Sequence, residues 1–148
     1  MVSTLSTKAS SKYAKYVEEC AEDDWFGRSP LHLAAERGPV EIVEALLSDK
    51  CDHNILDKGG KTPLHYAAYN GQEKIVKMLI DSGASPDIPD ITRSTPLHLA
   101  AICGREEITK LLIAAGGDLS SVNIDGETPL IIAEKCGHRK YVQMFRTI

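Results

Sequence analysis

The sequence is poor in aromatic residues, at 5% of 148 positions, and no apolar run approaches the roughly 18–20 residues that a membrane span needs. Its opening, MVSTLSTKASSK, lacks the apolar core of a secretory signal and reads as a flexible Ser/Thr-rich tail over residues 1–11. There is no excess of basic charge: 17 Lys and Arg against 21 Asp and Glu give a formal net charge of −4. Proteins that grip a nucleic-acid backbone concentrate Lys and Arg, so no direct nucleic-acid partner is expected, and no membrane partner either. The four cysteines, Cys20, Cys51, Cys103 and Cys136, show no CxxC spacing, which removes the usual signature of zinc or redox chemistry. No Gly-rich phosphate loop is present, since DKGGKTP at 57–63 lacks the P-loop spacing. Acidic pairs such as Glu18–Glu19 and Glu106–Glu107 are adjacent in sequence and read as solvated charge, and no nucleophile stands at a defined spacing from a base. The chain is therefore expected to be non-catalytic and to need no cofactor or metal. What remains is an ordinary globular composition, 43% hydrophobic and 26% charged, long enough for one domain with a real core.

What is abundant is repetition. SPLHLAAERG, TPLHYAAYNG, TPLHLAAICG and TPLIIAEKCG place their prolines at Pro30, Pro63, Pro96 and Pro129, at intervals of 33 residues. Six positions before each proline stands Asp24, Asp57, Asp90 or Asn123; eight after it stands Gly38, Gly71, Gly104 or Gly137. A period in this range means stacked structural repeats. Ser29, Thr62, Thr95 and Thr128 read as helix N-caps, each followed by proline at the first helical position, where its missing N–H costs nothing. The short helix carries paired alanines, such as Ala34 and Ala35, that admit a close neighbour, and ends at glycine. A second helix carries an apolar stripe, Ile42, Val43, Leu46 and Leu47 in the first copy. Neither helix buries its stripe alone; stacking does.

Asp57, Gly60, Thr62-Pro63-Leu64-His65, Ala67-Ala68, Gly71, Ile75-Val76, Leu79-Ile80 and Gly83-Ala84 resemble the ankyrin repeat, and the likeness extends over about 24–148. The resemblance implies an all-α repeat solenoid of four units, 24–56, 57–89, 90–122 and 123–148, each with two antiparallel helices and a projecting finger loop or β-hairpin. Two departures stand out. Arg93 takes the finger-glycine slot in the third copy, so a different finger shape is expected there, and Lys50-Cys51 replaces the Gly-Ala pair in the first. SSKYAKYVEECAEDD places Tyr13, Tyr16, Val17 and Cys20 at helical spacing and suggests an N-terminal capping helix over 12–22. Arg139, Lys140, Gln143, Phe145 and Arg146 suggest a polar outer face on the last repeat, and any longer parent protein is expected to extend from the N-terminus.

His32, His65 and His98 share one slot, three residues after the N-cap, from which a side chain can reach back to the cap. The resemblance assigns them framework hydrogen bonds to their own turn and the neighbouring finger. As metal ligands they fail on distance: repeats stack roughly 8–10 Å apart, whereas zinc ligands lie about 2 Å from one ion. The same spacing keeps Cys103 and Cys136 from bridging, because a disulfide wants Cα atoms within about 7 Å. A reducing compartment, cytoplasmic or nuclear, is the expected location.

By resemblance, function falls to variable positions on the concave face and fingers. Trp25, Phe26, Tyr66, Tyr69, Ile91 and Ile102 would form an apolar and aromatic strip there, accompanied by Asn70 and ringed by Arg28, Arg37, Lys58 and Lys61. The expected partner is another protein, domain or peptide, partly apolar and acidic where it meets the first two repeats; the chain itself is expected to be a monomer. An adaptor, scaffold or inhibitor is the leading reading. The alternatives are the recruiting part of a larger enzyme or channel, a small kinase-inhibitor-like ankyrin protein, or a transcription-partner ankyrin protein. AEKCGHRKY loosely resembles the ending of the inhibitors, but their second repeat is degenerate and TPLHYAAYNG is intact. DDWFGRSPLHLAA is similar to the start of a transcription partner's ankyrin domain over one motif. Asn54 occupies the slot before the finger where ankyrin repeats can be hydroxylated on asparagine, which makes it a modification candidate.

Overall fold

The computed structural model describes residues 26–48 and 52–147. Trp25, Cys20, Lys50, Cys51, the tail and the expected capping helix lie outside the described residues. Within them the chain forms four helix pairs: α1 (Pro30–Arg37) with α2 (Val40–Ser48), α3 (Pro63–Tyr69) with α4 (Glu73–Asp81), α5 (Pro96–Cys103) with α6 (Glu106–Ala114), and α7 (Pro129–Cys136) with α8 (Arg139–Thr147). All regular elements among the described residues are helices, and the chain is an all-α repeat solenoid.

The first helix of each pair starts where the sequence dictates. The Ser29, Thr62 and Thr128 hydroxyls accept the backbone N–H three residues on, and proline follows each cap. Ala34, Ala35, Ala67, Ala68, Ala100, Ala101 and Ala133 are completely buried, so these odd-numbered helices pack closely against one another. They meet more extensively than the even-numbered helices do, which bends the stack with α1, α3, α5 and α7 on its inner side.

The even-numbered helices supply the bulk. Ile42, Val43, Leu46, Ile75, Val76, Leu79, Ile108 and Leu112 are buried in one core that runs through the first three repeats. A second cluster, with Ala101, Ile132, Ala133, Tyr141 and Met144, joins the fourth repeat to the third. Thr109 and Tyr141 take slots held by aliphatics elsewhere, and the two hydroxyls meet 2.7 Å apart while Thr109 also donates to the Arg105 carbonyl at 2.9 Å. Burial pushes the Tyr141 phenol up to about 12, so it remains a neutral donor. Arg139, Lys140, Gln143 and Arg146 lie exposed on α8, and Phe145 is half-buried.

Among the described residues the fingers are turns, without hairpin strands. One backbone hydrogen bond joins each to the next: Lys58 N–H to Phe26 carbonyl at 2.8 Å, Ile91 to Gly59 at 3.0 Å, Ile124 to Thr92 at 2.9 Å. A side-chain oxygen at the base organises each turn. Asp57 Oδ1 accepts from Gly59 and Lys61, Asp90 Oδ1 from Thr92 and Ser94, Asn123 Oδ1 from Asp125 and Glu127, all between 2.8 and 3.0 Å. That is the physical reason for an Asp or Asn at this slot in the second, third and fourth copies.

The third finger corrects an expectation. Arg93 adopts φ +62°, beside +68°, +75° and +75° for Gly27, Gly60 and Gly126, and its finger keeps the hydrogen bonds of the others. The shape is unchanged because the Asp90 carboxylate over-determines the turn. A side chain in this left-handed region carries a cost of about 1–2 kcal/mol.

Candidate functional site

Each histidine is held at both ring nitrogens. His32 Nδ1 accepts the Ser29 N–H at 3.0 Å, His65 Nδ1 the Thr62 N–H at 3.0 Å, and His98 Nδ1 the Thr95 N–H at 3.1 Å. Nε2–H donates to the next finger's carbonyl: Lys61 at 2.7 Å, Ser94 at 2.9 Å and Glu127 at 2.9 Å. An acceptor Nδ1 and a donor Nε2 define the neutral tautomer. Burial lowers all three pKa values, that of His65 to about 4, because the charged ring would be desolvated. With both nitrogens engaged by backbone, none of the three offers a lone pair to a ligand. They couple each inner helix to the following finger.

Several expected contact residues are likewise tied into this frame. Tyr66 is half-buried, donates its hydroxyl to Asp57 Oδ2 and sets its ring edge-on to His32 with centroids 5.6 Å apart. Burial and the Asp57 carboxylate both push its phenol far up, so the proton stays on oxygen. The Lys61 ammonium lies 3.3 Å from the buried Asp90 carboxylate. Burial opposes ionisation of Asp90, but hydrogen bonds from Thr92 and Ser94 and the Lys61 charge outweigh it and hold its pKa below the usual value. Arg28 pairs with Glu36 at 2.9 Å and lies over the Phe26 ring, 5.3 Å from its centroid. Asn70 donates back to the Tyr66 carbonyl, and Arg37 is exposed at the end of α1. Asn54 is half-buried and its Oδ1 accepts the Ser85 N–H at 2.9 Å, as Asp87 does for Asp118 one repeat later.

What remains open on the inner face is apolar. Phe26, Tyr69, Ile91 and Ile102 are exposed, Tyr69 by 47% of its surface where Tyr66, one turn earlier, is spent on the frame. Lys58 is exposed beside them. The sequence reading ended the strip at Ile102; Ile124 extends it. It was legible in principle, because Ile124 shares a finger row with Lys58 and Ile91. Between the third and fourth repeats lies a groove of about 430 Å³ lined by Thr92, Ile102, Ile124, Ile132, Lys135 and Cys136 among others.

The two ends of this surface are closed alike and with opposite polarity. In the first repeat finger Arg28 meets helix Glu36; in the fourth, finger Glu127 meets helix Lys135, the same two slots with charges exchanged. The Lys135 and Asn123 hydrogen bonds hold the Glu127 pKa below its ordinary value. In the second and third repeats the helix slots hold Tyr69 and Ile102, which no charge covers. Unpaired charge changes sign along the fingertips: Lys58 and Arg93 carry the second and third, Asp125 the fourth, none with an ion pair among the described residues.

Among curated proteins none matches the chain at a significant level of similarity. A family profile described as ankyrin repeats (three copies) matches residues 8–90 and again 84–146. Proteins built from such repeats generally serve as protein–protein interaction modules and are typically non-catalytic. With the 33-residue period, the capped inner helices and the histidine struts already in place, that match shows that the chain belongs to the ankyrin repeat family.

Proposed function

We propose that this protein acts as a non-catalytic adaptor, scaffold or inhibitor that recognises another protein across the middle of its inner face. The observation carrying this reading is the position of Tyr69 and Ile102: exposed and apolar in the two central repeats, in the slots that the end repeats fill with ion-paired Glu36 and Lys135. An apolar stretch rimmed by charge fits the anatomy of a protein contact, in which a desolvated centre supplies most of the affinity. Lys58 supports a partner that is acidic over the first two repeats. The free thiols of Cys103 and Cys136 support a reducing location, cytoplasmic or nuclear, and a monomeric chain.

The test is affinity capture with wild type and a Tyr69→Ala/Ile102→Ala variant of matched circular dichroism. Tyr66 is left intact because its hydroxyl holds Asp57. Selective loss of a protein from the variant supports the reading and names the partner. Identical capture by both would remove the inner strip as the site.

A further inference from the structure

Three residues on the fingertips are unexplained by the frame. Ile91 and Ile124 are 71% and 67% exposed, and Arg93 occupies a left-handed conformation that the other three fingers give to glycine. Their adjacency follows from the ladder between fingers. Ile91 bonds to Gly59, beside Lys58, and Ile124 bonds to Thr92, which lies between Ile91 and Arg93. The result is one ledge running Lys58, Ile91, Arg93, Ile124.

The Lys58 stem lies over Gly27, but neither cationic head is used by the described part of the molecule. Among the described residues Lys58 and Arg93 make no ion pair or side-chain hydrogen bond, whereas the neighbouring Lys61 is committed to Asp90. Glycine would relieve the backbone at position 93, and a Cβ there brings no packing that the other fingers need. Strain held at an exposed position points to the side chain being used. Beyond Ile124 the ledge turns acidic at Asp125, which sets one boundary.

We infer that this fingertip ledge binds a protein segment in which acidic and aliphatic side chains alternate. Its carboxylates face Lys58 and Arg93, its aliphatic groups rest on Ile91 and Ile124, and its acidic part stops short of the fourth finger. Arg93 is the specificity-determining residue, since its planar guanidinium takes a carboxylate through two parallel hydrogen bonds. This deepens the protein-binding reading and rests on it.

The experiment uses a random 16-residue peptide library displayed on phage, selected on wild type and counter-selected on an Ile91→Ala/Ile124→Ala variant, which lacks the apolar half of the ledge. Enriched peptides are synthesised and their Kd measured against wild type and Arg93→Gly, with thermal midpoints recorded. The expected peptides pair Asp or Glu with Ile, Leu or Val, and Arg93→Gly weakens them at least about fivefold, as loss of one charge-assisted contact does. The thermal midpoint of Arg93→Gly stays level or rises, which separates lost contact from lost fold. Enrichment of neutral or basic peptides, or equal affinity for Arg93→Gly, would overturn the ledge while leaving the inner-face reading standing. If no peptide survives counter-selection, the ledge falls, and the inner-face reading is decided by the Tyr69→Ala/Ile102→Ala capture alone.

Discussion

The end repeats and the middle repeats of this stack use the same slots for different purposes. At the ends, a finger charge and a helix charge close on each other, Arg28 with Glu36 and Glu127 with Lys135. In the middle, Tyr69 and Ile102 stand in the helix slot, and Lys61 turns aside to Asp90 in the next repeat. The frame beneath is shared, since the capped helix recurs in all four repeats and the base of the finger in the second, third and fourth. The histidine row holds the stack together, and under the proposed reading the row four residues further along meets the partner.

The largest effect should come from attacking the shared frame. His65→Ala removes the ring, orphans the buried Ser94 carbonyl and Thr62 N–H, and leaves a cavity; a loss of about 3–5 kcal/mol is expected in urea unfolding. Protonation attacks the same strut reversibly. Because the folded pKa of His65 is depressed to about 4 from 6.5, the unfolded chain binds the extra proton. Stability is full above pH 6.5 and falls towards pH 4, by roughly 3 kcal/mol for this residue. His32 and His98 add in the same direction. Urea midpoints from pH 7.5 to 4.5 check it, and a flat profile would contradict the neutral tautomer.

Converting a middle repeat into an end repeat sharpens the contrast. Tyr69→Glu copies the Arg28–Glu36 arrangement beside Lys61. Binding of the captured partner should fall at least about tenfold, near 1.4 kcal/mol, while the unfolding midpoint barely moves. A stability loss as large as that of His65→Ala would mean that Tyr69 belongs to the frame. The smallest effect is expected at the ends: Glu36→Gln releases a half-exposed pair and should cost no more than about 0.5 kcal/mol, with affinity unchanged. A clear loss of binding there would erase the distinction between ends and middle.

The frame was legible in the sequence because each of its parts repeats at a fixed offset. Proline, cap, histidine, alanine pair and finger aspartate each recur every 33 residues, so period alone exposes them. Individual side chains at variable slots were legible only as candidates. Tyr66 looked like Tyr69 three residues away, yet one hydroxyl reaches Asp57 and the other ring faces solvent, a difference set by helix rotation. Lys61 read as free charge because its partner, Asp90, lies 29 residues ahead. Arg93 read as a change of shape, when the aspartate at the finger base keeps the shape and strains the residue instead.

The histidine struts give the stack a direction. Every histidine strut leaves a helix and ends on a finger further along the chain, while the finger ladder donates the other way, from Lys58, Ile91 and Ile124 back to the finger before. Cutting away the fourth repeat would orphan the Nε2–H of His98; cutting away the first would orphan the Lys61 carbonyl together with the N–H groups of Lys58 and Ser85. A buried donor without a partner is tolerated less readily than an acceptor. Each end would therefore expose a different set of broken bonds, and the chain resembles a row of leaning tiles more than a symmetrical column.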